Sequence, residues 1–173
     1  MQTAVVTGGA GFIGSNLVDK LIEQGIEVIV LDDLSTGKKE NINPKAKFIE
    51  CDISTASQVD LTFYINGADV VFHTAAKARV QPSIDDPLTF NKANVDGTLN
   101  MLYASYKMKI KRFVYSASSS AYGNATRFPT PEEHPTNPLS PYGLQKYIGE
   151  QYCEVFSKVY GLDTVSLRYF NVY

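Results

Sequence analysis

Residues Gly8-Gly9-Ala10-Gly11-Phe12-Ile13-Gly14 follow the apolar run Thr3-Ala4-Val5-Val6-Thr7 and open a segment with Ile13, Leu17, Val18, Leu21 and Ile22 at helical spacing. The stretch therefore reads as strand, glycine turn and amphipathic helix. Glycines at 8, 11 and 14 allow a tight turn and a close approach of main chain to a ligand. The helix start, at Phe12 and Ile13, offers unpaired N–H groups and a partial positive charge to an anion such as a diphosphate.

A glycine triplet is common in turns, so its context has to carry the reading. A second apolar run, Glu27-Val28-Ile29-Val30-Leu31, ends at Asp32, eighteen positions after Gly14. A carboxylate there accepts hydrogen bonds from the ribose hydroxyls of a dinucleotide and repels a 2′-phosphate. The strand, turn, helix, strand and acid together predict NAD as cofactor, in preference to NADP.

Further along the chain the same alternation continues. Lys47-Phe48-Ile49-Glu50 and Asp69-Val70-Val71-Phe72 read as strands, with a helix around Ser57–Ile65 between them. A long helix is expected over Leu88–Lys107, then a strand Arg112–Ser116, a Pro-rich loop Asn124–Pro141, a helix from Tyr142 to Tyr160 and a sixth strand Asp163–Tyr169. Alternating strands and helices predict an α/β fold with a doubly wound parallel sheet. One NAD-binding domain over residues 1–173 accounts for the length.

Ligands of such sheets lie beyond the carboxyl ends of the strands. The segments after strands 1, 2, 4, 5 and 6 are therefore where chemistry is expected, with Asp33, Ser35, Thr36 and Gly37 as candidate cofactor residues after the second. Thr74, Ala75, Ala76 and Lys77 follow the fourth, and Ser116, Tyr169 and Phe170 end the last two strands.

Composition narrows the partners. The chain is 44% hydrophobic and 20% charged with a net charge of −2, which supplies no concentrated basic face for a nucleic acid. No stretch has membrane length or signal-peptide form. Lysines 38, 39, 45 and 47 read as a solvated loop interrupted by Glu40. Cys51 and Cys153 lack metal-site spacing and read as reduced core thiols of a cytoplasmic protein. His73, after an apolar strand, reads as a hydrogen-bonded core histidine. No metal site is expected.

The chemistry gathers at two strand ends. Ser116-Ala117-Ser118-Ser119-Ser120-Ala121-Tyr122-Gly123 ends the fifth strand, and the next helix begins Ser140-Pro141-Tyr142-Gly143-Leu144-Gln145-Lys146. Tyr142 and Lys146 are four apart and share a helix face. A free tyrosine titrates near ~10, so a phenolate base at neutral pH needs about three units of depression. A nearby ammonium and the positive nicotinamide ring would supply it. Chance alone provides about one Tyr-x-x-x-Lys in a chain this rich in both residues, and a second copy exists at Tyr103–Lys107. That copy lies inside a long helix, away from any serine-bearing strand end, and is assigned to packing.

Gly8-x-x-Gly11-x-x-Gly14, Asp32, Asp52, Ala75-Ala76, Asn94-Val95-x-Gly97-Thr98, the serine cluster, Tyr142-x-x-x-Lys146 and Leu167-Arg168-Tyr169-Phe170-Asn171 together resemble the extended short-chain dehydrogenase/reductase superfamily. Within it the chain looks most like nucleotide-sugar 4-epimerases of the UDP-glucose type. The resemblance implies Ser118, Tyr142 and Lys146 as catalytic residues, with Ser118 hydrogen-bonding the sugar O4 and Lys146 holding the nicotinamide ribose. It also implies Asp52, Ile53 and Asn94 as further cofactor contacts. It implies that Tyr142 takes the C4 hydroxyl proton as hydride leaves C4 for NAD, and that the keto sugar rotates to take the hydride back on its other face. Asn171, with Ser118 and Tyr142, would meet the substrate, a UDP-hexose. In the related 4,6-dehydratases a glutamate, often after an aspartate, precedes the Tyr-Gly pair; Ser119 and Ser120 stand here instead and disfavour elimination of water. The alternatives are another nucleotide-sugar oxidoreductase or dehydratase of the superfamily, and a non-catalytic NAD-binding module. Family members run to roughly 300 residues or more, with a C-terminal substrate lobe, so the chain resembles the cofactor half of an enzyme. A homodimer through the helices near 88–107 and 142–160 is also implied.

Overall fold

In a computed structural model describing residues 1–173, six parallel strands form one sheet in the order β3-β2-β1-β4-β5-β6. The strands are β1 (Thr3–Thr7), β2 (Glu27–Asp32), β3 (Lys47–Glu50), β4 (Val70–His73), β5 (Arg112–Ser118) and β6 (Thr164–Tyr169). The order reverses between β1 and β4, so the exits of these two strands part and leave a crevice. β1 stands between β2 and β4, with Thr7 opposite both Leu31 and His73.

The helices are α1 (Phe12–Glu23), α2 (Gln58–Tyr64), α3 (Val80–Asp85), α4 (Pro87–Asn91), α5 (Gly97–Lys107) and α6 (Pro141–Tyr160). They divide unequally between the two faces. Val5, Leu31, Val71, Phe113 and Tyr115 face α2, α5 and α6 and pack with Leu61, Met101, Leu102, Cys153 and Phe156 in the larger core. Ala4, Val6, Val28 and Val30 face α1 and pack on Val18 and Leu21. Strand residues buried from both sides explain the continuous apolar runs.

Two expectations need correction. The helix anticipated over Leu88–Lys107 is interrupted: α4 and α5 are joined by a π-helical turn, Lys92–Asp96. This turn carries Asn94, whose amide is drawn inward into three hydrogen bonds, to the Lys77 main chain and to Gln145. Inserted turns of this kind recur at functional sites. The second correction is α3, which was not anticipated. Six residues containing Pro82 are too few to show a helical period.

Candidate active site

The cleft at the β1–β4 divergence is lined by Gly8, Gly11, Leu31, Asp32, Asp33, Ser35, Thr36, Cys51, Asp52, Ile53, Thr74, Ala75, Ala76, Lys77 and Ala93. Twelve of the expected cofactor residues, from Gly8 to Lys77, thus meet in one place. Leu31, Cys51 and Ala93 were not anticipated. Cys51 is only half-buried, which corrects its reading as a core thiol; burial and neighbouring aspartates push it up to about 11.

Gly8 has φ +71°, and a Cβ there would lie 2.6 Å from the Ala75 nitrogen. The exits of β1 and β4 can therefore pass each other only over a glycine. A Cβ on Gly14 would strike the Gly8 carbonyl, so the first turn of α1 also depends on glycine for its approach to the loop. Phe12, Ile13 and Gly14 have no intramolecular acceptor for their N–H groups, the first main-chain bond into the helix being Ser15 N–H to Gly11 O at 2.9 Å. Phe12 and Ile13 carry exposed side chains, so what they offer is main chain. Three free donors at an N-terminus without a side-chain cap fit a diphosphate.

Asp32 is buried at the end of β2. Its Oδ2 accepts the Ala10 N–H at 2.9 Å and its Oδ1 the Leu34 N–H at 2.8 Å. The carboxylate thus braces the glycine loop while one lone pair on each oxygen stays available to ribose hydroxyls. Asp33 caps its own loop through Ser35, and Asp52 does the same through Ser54. Gly37 stands apart from the cleft wall, where it admits the Ala10 side chain.

One further expectation is revised by geometry. Asn94, expected to touch cofactor, commits its side-chain oxygen to the Lys77 N–H and its NH2 to the Lys77 carbonyl and to Gln145 Oε1, at 2.8, 3.0 and 2.9 Å. It holds the cleft wall and does not form it; neighbouring Ala93 does. Tyr169 and Phe170 are outside the lining of this cleft, at the Ser118 end of the sheet. Tyr169 pairs in register with Ser118, and Phe170 stacks on Tyr122 at 6.4 Å. Ser116 is buried in β5, and Asn171 is exposed beyond β6.

Ser118 ends β5 and faces the Tyr142 phenol, and Tyr142 and Lys146 lie one turn apart at the start of α6. Ser118 is buried, and its Oγ accepts the Ser120 N–H at 3.1 Å, capping the short 3₁₀ turn Ser119–Tyr122. Ser140 caps α6 through the Gly143 N–H at 3.1 Å, with Pro141 in the first turn. The Tyr142 N–H donates to Ser83 Oγ at 3.0 Å, so buried Ser83 on α3 anchors the start of α6. Sequence reading missed Ser83 together with its helix. Lys146 is buried over the Tyr115 ring, its Nζ 4.5 Å from the centroid, and it has no hydrogen-bond acceptor within the protein. Burial pushes it down to about 8.

The Tyr142 phenol shifts in the direction opposite to that expected. Burial pushes it above its ordinary value, and the Ser118 hydroxyl facing it opposes only part of that rise. The Lys146 ammonium, drawn to Tyr115, does not supply the depression foreseen for it. An almost fully buried lysine without an acceptor is a donor awaiting an oxygen, which is what a cofactor ribose presents. The free N–H groups, the glycine cradle and Lys146 each fit NAD.

The second Tyr-x-x-x-Lys copy is a surface pair on α5, with Lys107 Nζ 5.5 Å over the partly exposed Tyr103 ring. His73 is the hydrogen-bonded core residue expected of it, bonded at both nitrogens. The described residues contain no His, Cys, Asp and Glu grouping fit for a metal ion.

Comparison with known proteins agrees with this geometry. A Methanocaldococcus jannaschii protein provisionally named UDP-glucose 4-epimerase is 47% identical over 170 residues, covering 98% of this chain and 55% of that protein. The Thermotoga maritima UDP-glucose 4-epimerase, solved with UDP-glucose, superposes with a TM-score of 0.95 at 46% identity, covering 99% of this chain and 56% of the other. The Brucella ovis UDP-glucose 4-epimerase, solved with NAD, superposes at 0.94 and 36% identity, covering 99% of this chain and 52% of the other. The chain spans about half the length of the curated relatives it matches. The profile of the NAD dependent epimerase/dehydratase family matches residues 4–173, and the chain belongs to that family.

Proposed function

We propose that residues 1–173 form the cofactor-binding portion of an NAD-dependent nucleotide-sugar 4-epimerase acting on a UDP-hexose. The observation that carries this reading is that Ser118 faces the Tyr142 phenol on the helix bearing unpartnered Lys146, and that this helix is tied through Gln145 and Asn94 to the Lys77 wall of a cleft built for a dinucleotide. The Phe12–Gly14 amides would hold the diphosphate, Asp32 the adenosine ribose and Lys146 the nicotinamide ribose. When bound, NAD supplies a hydride acceptor and a positive charge. Lys146 fixes the ribose and, being buried, acts at low dielectric. Tyr142 takes the proton from the sugar O4 and returns it, while Ser118 holds that oxygen by a hydrogen bond. Because the protein's own groups raise the Tyr142 pKa, its phenolate form depends on the charge that arrives with the cofactor.

A dehydratase would need an acid or base where Ser119 and Ser120 stand, and hydroxyls do not titrate near neutrality. UDP-glucose in the Thermotoga relative favours a uridine diphosphate sugar over other nucleotides. The face of β6 turned away from α6 leaves Val165 and Leu167 exposed, a surface suited to cover by further chain that completes a substrate site. Exposed Tyr106, Val155, Val159 and Tyr160 on α5 and α6 suit a homodimer packed through these helices. No helix is long and apolar enough to cross a membrane, and a cytoplasmic setting agrees with two free thiols.

The test is a calorimetric NAD titration, followed by a coupled UDP-galactose assay on protein extended through its substrate-binding portion. We expect NAD to bind residues 1–173 alone and turnover to require the extension, because groups that grip the nucleotide orient C4 for reaction. Absence of NAD binding, or an extended protein inert towards all UDP-hexoses, would overturn the reading. Light scattering at micromolar concentration decides between monomer and dimer.

A further inference from the structure

Under the cleft floor, at the end of β4, lies a buried imidazole that the proposed chemistry does not use. His73 has no solvent exposure and stacks on Tyr115 with ring centroids 5.8 Å apart. Its Nδ1 is 2.8 Å from Thr7 Oγ1 and its Nε2 is 2.9 Å from Thr98 Oγ1.

Proton accounting gives these two contacts a direction. The Thr98 hydroxyl has one proton and donates it to the Asn94 carbonyl at 2.6 Å. Towards His73 it can only accept, so Nε2 carries a hydrogen. Burial, with the Lys146 charge facing the ring, holds the imidazole neutral by pushing it down to about 3. Nδ1 is therefore bare and takes the Thr7 hydroxyl proton. Thr7 Oγ1 in turn accepts the Ala75 N–H at 3.2 Å. The hydrogen bonds run one way, from Ala75 through Thr7, His73 and Thr98 to Asn94.

Both ends of this chain matter to the site. Ala75 lines the cleft. Asn94 grips both main-chain groups of Lys77, which also lines the cleft, and the side chain of Gln145, the residue before Lys146. One buried ring thus links the cleft wall to the helix carrying Tyr142 and Lys146.

We propose that His73 is a positioning residue which, as the neutral Nε2–H tautomer, holds the Thr74–Lys77 wall and the start of α6 in register for the cofactor. Its effect on NAD affinity rests on the function proposed above, whereas its tautomer does not.

The first measurement is a long-range proton–nitrogen spectrum of ¹⁵N-histidine-labelled protein, with His134→Asn removing the only other imidazole. A protonated Nε2, a bare Nδ1 and no titration from pH 8 to 5 are expected. An Nδ1–H tautomer, or titration near the ordinary histidine value, overturns the proposal. The second is NAD affinity in matched variants at equal folded fraction. Thr98→Ser should bind within about twofold of the unaltered protein, while Thr98→Val, leaving the Nε2–H without an acceptor, should lose roughly 5- to 100-fold. His73→Gln, which keeps an N–H donor group and an oxygen acceptor, should bind better than His73→Leu. Equal affinity across both pairs would reduce His73 to packing and overturn the proposal. If Thr98→Val does not fold, the spectrum of the unaltered protein still decides. If the unaltered protein does not bind NAD, the function reading fails and the tautomer alone tests His73.

Discussion

The Lys146 ammonium lies 4.5 Å from the centroid of the Tyr115 ring, and the Tyr115 hydroxyl donates to the Lys146 main-chain carbonyl at 3.3 Å. One aromatic side chain therefore sets both the charge and the helix turn that bears it. The ring face offsets part of the cost of burying an ammonium, and the remainder appears as a lysine pushed down to about 8. A charge held at such cost in a cleft is a mark of function.

That cost predicts a trade of stability against activity. The unfolded lysine keeps its proton to the ordinary value of 10.5 and the folded one only to about 8. Between these pH values the unfolded state binds more protons, so stability should rise with pH across the window. Below pH 8 the penalty is complete, at about 3 kcal/mol. Lys146→Met, which keeps the stem's packing, should stabilise the protein by up to that amount below pH 8 and by little above 10.5, while abolishing turnover. Urea melts at pH 7 and 10.5 check it; a Met variant less stable at pH 7 would contradict the account.

Tyr142→Phe should abolish sugar turnover in the extended protein and leave NAD affinity within about threefold, because it removes one hydroxyl from the proton path and no more. Tyr103→Phe is the matched control. Tyr103 belongs to the surface Tyr-x-x-x-Lys pair and should be nearly silent. Substantial turnover in Tyr142→Phe removes Tyr142 from its assigned role.

His73 predicts an acid limb in the stability curve. Its folded pKa lies near 3, pushed down first by burial and then by Lys146, against an ordinary value of 6.5. The neutral ring's contribution is whole above 6.5 and declines as pH falls towards 3, by up to about 1.4 kcal/mol per pH unit. His73→Gln should flatten that limb. A stability profile for the unaltered protein that is level from pH 6.5 to 4 would count against a buried neutral ring.

Much of this architecture was legible because strand ends and chemistry coincide. Thr7, Asp32, His73 and Ser118 each end a strand, and parallel-sheet topology brings such ends to one edge. What escaped reading depends on contacts between distant segments. Ser83 holds Tyr142 across 59 positions, and nothing local to either residue announces it. Asn94 stands in a π turn that leaves the apolar spacing of its helix nearly intact, so neither the turn nor the inward amide shows in periodicity. The direction of the Tyr142 shift was misjudged for a similar reason. Four-residue spacing places a tyrosine and a lysine on one face, but Tyr115, from another strand, decides where the ammonium goes.

Asp32 serves two ends at once. Its oxygens accept the N–H groups of Ala10 and Leu34, and the same carboxylate is the proposed acceptor for the adenosine ribose. Asp32→Ala should weaken NAD binding by about 1–3 kcal/mol, the range for a lost charge-assisted hydrogen bond. It should also lower the melting temperature, since the N–H of fully buried Ala10 loses its acceptor. A purely structural Asp32 would lower NAD and NADP affinity together, whereas a ribose-reading carboxylate makes the unaltered protein prefer NAD and makes the variant nearly indifferent. Calorimetry with both dinucleotides on both proteins separates these outcomes. Equal NAD and NADP affinity in the unaltered protein would leave Asp32 with the loop alone.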